Sequence, residues 1–109
     1  MITEKQFDEI VDKRLTAIKE TLLVKGKEYR RDNDPLHNFR KGAAITNQSE
    51  EKVLWGFATK HLVSVMDMIE DIEEYGILPK EDMLEEKIGD MINYLILLEA
   101  SFKESINHL

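Results

Sequence analysis

The stretch "EEKIGDMINYLILLE", residues 85–99, decides the fold. Its apolar residues do not alternate as they would on a half-buried strand. Ile88, Met91, Leu95 and Leu98 recur at spacings of three and four, and Leu84 and Phe102 extend the series on either side, which is the period of a helix. The core of the stretch, "MINYLILL", is apolar almost all round, so this helix is expected at the centre of a bundle. Against that background Glu86, Asp90 and Asn93 stand out. They follow one another at i, i+4 and i+7 and form one polar row beside the apolar one. Carboxylates adjacent on one helix face repel each other unless a cation or a basic group sits between them. Two carboxylates and an amide oxygen suit a hard divalent ion such as Mg²⁺, which takes oxygen ligands and keeps several waters. The other reading is a solvated helix face that happens to carry Glu and Asp.

Working outward, this helix is expected from about Lys80 to near the C-terminus, after a connector "GILPKED" at 76–82. Before it, Asn47 or Ser49 can cap a second long helix running to about Tyr75, where Gly76 is the stop signal. Leu54, Ala58, Leu62, Val65 and Ile69 are its apolar row. Lys60, Ser64 and Asp67 share another of its faces, with His61 beside them. If the two helices pack antiparallel, that row confronts Glu86, Asp90 and Asn93. Lys60 then pairs with a carboxylate or holds a phosphate as a point charge; otherwise Lys60 and Asp67 are ordinary surface charge. His61 taken alone reads as a structural residue, and Met66, Met68 and Met91 as core filler.

A first helix is expected from Thr3, with Gln6 completing a capping box. Phe7, Val11, Leu15, Ile18 and Leu22 give it one apolar stripe, and Gly26 reads as its end. Between the first and second helices lies "KGKEYRRDNDPLHNF", residues 25–39. There Asp34-Pro35 reads as the cap and first residue of a short helical turn ending near Gly42, and "AAITNQ" as loop. The expected fold is therefore all-α, a compact bundle of three long helices plus short helical turns in the 25–42 segment. The apolar character of the last helix on all sides predicts a homodimer or homotetramer that completes the bundle.

With 109 residues the chain is expected to form one domain, residues 1–109. No apolar run approaches the ~20 residues that span a bilayer. The opening "MITEKQFDEI" lacks a signal-peptide core, and the absence of cysteine is compatible with a reducing cytosol. A cytoplasmic location with no membrane partner follows as the expectation. The same absence excludes disulfides, thiolate zinc sites and a cysteine nucleophile. A net charge of −7 argues against binding a nucleic-acid polymer.

That charge is uneven. Residues 25–41 hold Lys25, Lys27, Arg30, Arg31, Arg40 and Lys41 against Glu28, Asp32 and Asp34, a local net of +3. A basic patch on an acidic protein points to a small anion, or it is a solvated loop. Within the segment Lys25 and Lys27 can attract phosphate, Tyr29 or Phe39 can stack on a base, and Asn38 can bond a base edge. Read plainly, Asp34 is only a cap and Phe39 only closes the end of the bundle.

Taken together, "KGKEY", "DPLHNF", "LWGFATKHLVSVMD" and "EEKIGDMINYLILLE" resemble the all-α nucleoside triphosphate pyrophosphatase (MazG-like) superfamily. The likeness covers about residues 20–100 and is strongest to small phage and prophage members associated with nucleotide modification. The pattern acidic-x-x-x-Asp-x-x-Asn-Tyr falls on Glu86, Asp90, Asn93 and Tyr94. The Lys-x-x-acidic-Tyr element falls on Lys25, Glu28 and Tyr29, and the middle-helix lysine on Lys60. The resemblance implies a Mg²⁺-dependent (or Mn²⁺-dependent) hydrolase that cleaves a nucleotide between the α- and β-phosphates, giving a monophosphate and pyrophosphate. In that scheme Glu86 and Asp90, with Asp67, hold the metal, and Lys60 and Lys25 neutralise phosphate. Glu28, Tyr29, Asn38, Phe39, Asn93 and Tyr94 complete the substrate site. One departure is plain. Members that hydrolyse carry a Glu-x-x-Glu pair on the middle helix, whereas "TKHLVSVMD" has Asp67 as its sole carboxylate. A nucleotide-binding protein without turnover, or a helical assembly protein, are the alternatives.

Overall fold

A computed structural model describes residues 1–107, apart from the side chain of Tyr29. The described residues form an all-α fold, with helices α1 (Glu4–Lys19), α2 (His37–Thr46), α3 (Glu50–Tyr75) and α4 (Glu81–Asn107). A π turn (Glu20–Val24) and a 3₁₀ turn (Lys25–Tyr29) follow α1 directly. Contacts divide the chain into two compact units, Met1–Pro35 and Leu36–Leu109.

In the first unit α1 starts at the expected capping box. The Gln6 amide donates to Thr3 Oγ1 at 3.1 Å and the Thr3 amide donates to Gln6 Oε1 at 2.9 Å. Two orphan donors are thereby satisfied reciprocally. Gly26 does not end the helix. Terminating there would need a left-handed backbone, and the glycine described with positive φ is Gly76 instead. The helix changes pitch: the Lys25 amide reaches back to the Glu20 carbonyl, an i→i+5 bond. A Cβ on Gly26 would stand 3.2 Å from the Thr21 carbonyl oxygen, a tight approach that glycine avoids. Arg30 Nη2 then donates to the Leu22 carbonyl at 2.9 Å and ties the chain back to the π turn.

Asp34-Pro35 is likewise not a helix start. Asp32 and Asn33 are both left-handed, with φ of 55° and 58°, and the Asp34 amide donates to the Arg31 carbonyl at 2.9 Å. Two successive left-handed residues make a tight turn of the primed kind, which Asp and Asn tolerate better than other side chains.

In the second unit α2 begins after Leu36, whose side chain is buried. It runs through "AAIT", expected as loop, and stops where Asn47 turns left-handed (φ 54°). Asn47 therefore ends α2, and Ser49 caps α3, its Oγ accepting from the Lys52 amide at 3.1 Å. Gly76 (φ 63°) ends α3 as expected, because a left-handed closing residue carries no Cβ penalty there.

α3, rather than α4, is the central helix of this unit, packing on both α2 and α4. Leu36, Leu54, Ala58, Gly89 and Ser101 are its buried residues. α4 leaves Leu95, Ile96 and Phe102 exposed, so the apolar surround that promised a central position is largely uncovered here. The far end is held by a polar clamp. Arg40 donates to both carboxylate oxygens of Glu104, one at 2.6 Å, and to Glu50 at 2.8 Å. Ser101, fully buried, lies 3.1 Å from Glu50 and 3.2 Å from Glu51. Ser105 donates to Glu51 at 3.0 Å. No helix among the described residues is long and apolar enough to cross a membrane.

Candidate functional site

Glu50 meets Ser101 at the polar clamp, Phe57 meets Tyr94 and His61 meets Asp90, so α3 and α4 run antiparallel. Further along the same pair of helices, that register brings Phe57 and His61 of α3 opposite Tyr94 and Asp90 of α4. Each pair is spaced i, i+4, so each presents two side chains on one face. The Tyr94 ring stacks on Phe57, with centroids 5.7 Å apart and planes 6° from parallel. It also stacks on His61 at 5.2 Å and 17°. Phe39 of α2 meets Phe57 and Tyr94 edge-on, at 6.0 and 6.3 Å. Both arrangements suit the ring quadrupoles.

Charge gathers at the rim of this aromatic cluster. Lys60 Nζ lies 5.5 Å from the centre of the Phe57 ring, a cation–π contact. His61 Nδ1 lies 3.6 Å from Asp90 Oδ2, an ion-pair distance beyond a good hydrogen bond. Burial, reinforced by the Asp90 carboxylate, pushes the Tyr94 phenol above its ordinary value of 10.0. Next to Tyr94, Asn93 Oδ1 is buried with no hydrogen-bond donor.

Of the residues expected to act, the structure brings together Phe39, Lys60, Asp90 and Tyr94. Glu86, Asp67 and Asn38 are exposed. Lys25 and Glu28 belong to the first unit, where both are exposed on the 3₁₀ turn, and the Tyr29 side chain lies outside the described residues. Among the described residues, no three His, Asp or Glu side chains gather as a metal ion would need. Glu86 and Asp67 do not join Asp90 in such a group, and the side chain facing Asp90 is that of His61. His61, structural on its sequence alone, is the partner of Asp90 and one layer of the stack. The signal was present in its spacing, four residues after Phe57 and next to Lys60.

The arrangement offers a flat π surface, a cation at its edge and an imidazole beside a carboxylate. Comparison with protein-family models, with curated proteins and with solved structures gives no match for this chain.

Proposed function

We propose that the second unit binds a nucleotide on the α3–α4 face, without turnover by a single chain. The observation that carries the reading is the Phe57–Tyr94–His61 stack with Lys60 at its rim. A nucleobase is recognised through its π face and its phosphates through charge, and this face offers both within one helical turn of α3. Phe57 is 40% exposed, so part of its ring is open to a ligand. The MazG-like resemblance agrees in ligand class, and the lack of a gathered acidic set speaks for binding over hydrolysis.

Calorimetric titration with nucleoside triphosphates, monophosphates and nucleosides in EDTA tests this. Binding is expected without metal, with triphosphate tighter than nucleoside. Lys60→Ala should weaken triphosphate by about tenfold and leave nucleoside unchanged, whereas Phe57→Ala should weaken both. Absence of any nucleotide binding would sink the proposal.

A second reading, pyrophosphohydrolysis in an assembly of chains, is favoured by one observation. The buried Asn93 oxygen, one turn from Asp90, is an acceptor awaiting a partner. Pyrophosphate release that depends on Mg²⁺ and on Asp90 would establish it.

A further inference from the structure

The geometry points to α1 as a docking surface for the α1 helix of a second copy of this chain, laid antiparallel. No residue of α1 is buried. Phe7, Val11 and Leu15 are each exposed, at 56, 41 and 52%, and with Ile18 they line one side of the helix at spacings of three and four. A helix with such a stripe gains most of its stability from covering it.

The occupant is identified by charge. Residues 4–12 carry four carboxylates (Glu4, Asp8, Glu9, Asp12) against Lys5, a net of −3. Residues 13–19 carry Lys13, Arg14 and Lys19 with no carboxylate, a net of +3. The layout favours the helix itself, acidic at its N-terminal end and basic at its C-terminal end. It also makes the surface self-complementary in one orientation only. Parallel copies would set like charge against like. Antiparallel copies set the −3 half of each against the +3 half of the other.

A two-fold axis near residue 13 brings Val11 opposite Leu15 of the second copy and Phe7 opposite Ile18. Asp8, Asp12 and Lys19 all project from the same flank of the stripe at 100° per residue. In a two-fold antiparallel pair the same flanks meet, so Asp8 of each chain lies within a turn of Lys19 of the other. This inference concerns the first unit and does not depend on nucleotide binding.

The chain contains no cysteine, which makes the register directly testable. Full-length Phe7→Cys and Ile18→Cys proteins are oxidised separately and as an equimolar mixture. The mixture should cross-link across the pair, and each alone should not. Cross-linking of the single variants by themselves would reveal parallel pairing and overturn the proposal, as would no cross-link in the mixture. Sedimentation across a concentration series gives the second arm. Asp8→Lys with Asp12→Lys should weaken self-association by about tenfold, the sum of small exposed pairs. Adding Lys19→Glu to that variant should restore it. An unaltered association constant in the reversed variant, or no recovery in the triple one, would equally overturn the assignment.

Discussion

The two units of this chain are held by bonds of different reach. Residues 1–35 are shaped by bonds short in sequence, among them Thr3 with Gln6, Lys25 with Glu20, Arg30 with Leu22 and Arg31 with Asp34. In the second unit the decisive bonds join residues far apart, Arg40 with Glu104 and Glu51 with Ser105, over buried Leu36, Leu54 and Ala58. Local bonds shape a segment without making it cooperative, because each can open alone. Distant bonds close large loops, so they form and break together. The first unit should therefore fray gradually, and the second should melt as one body.

The largest test of that contrast is Leu54→Ala. Leu54 is fully buried in the second turn of α3, and its truncation should cost about 2–5 kcal/mol. Thermal melting followed by amide exchange should show α3 and α4 losing protection together; a change confined to one turn would break the comparison. Next comes Arg40→Ala, which leaves Glu50 and Glu104 facing each other without their shared cation. Arg40 is partly exposed, so solvent screens the cost and about 1–2 kcal/mol is expected. Conversely, Thr3→Ala should cost about 1 kcal/mol of helix stability. Amide exchange should rise in the first turn of α1 alone, and a global loss would show that the first unit is not locally held.

Acid gives a subtler probe. Hydrogen bonds from its own backbone amide and then from Ser105 and Ser101 hold the Glu51 carboxyl below its ordinary value of 4.5, although burial and the nearby Glu104 carboxylate push the other way. A depressed carboxyl stabilises the fold above the unfolded value, and that contribution is lost as the pH falls below 4.5 through the folded one. Ser105→Ala should flatten the fall in melting temperature over that window, while a parallel curve would remove Glu51 from the account. The smallest effect is expected for Lys103→Ala. Its partner Glu99 lies on a solvent-exposed helix face, so the melting temperature should not move measurably.

The sequence carried the helices well wherever a terminus has a side chain to announce it. Thr3 with Gln6, Ser49 and Gly76 all act as their chemistry suggests. It failed between residues 20 and 47, where the backbone uses uncommon states. Gly26 and Asn47 are both terminator types, yet one sits inside a tight turn and the other ends a helix that composition had made a loop. The Asp-Pro pair resembled a cap because local spacing cannot show that Asp32 and Asn33 turn left-handed just before it. In the candidate site Asp90 and Lys60 were legible from their rows, and Tyr94 only through the family resemblance. His61 was not, because its significance lies in which α4 residue faces it. The Arg40 clamp was beyond reach for the same reason, its partner Glu104 standing 64 positions away.

The π turn at Glu20–Val24 has a consequence for how this chain can change length. An i→i+5 turn holds one residue more than regular helix would, and one residue is roughly 100° of rotation. Deleting Leu23 would let the segment relax to ordinary pitch with Lys25, Lys27 and Glu28 keeping their aim, because the wide turn already absorbs the additional residue, and it would spare the capped start of α1. Residues 20–24 thus act as a phase adjuster, a place where a single-codon loss can be absorbed without turning the charged segment that follows or unmaking the helix that leads to it.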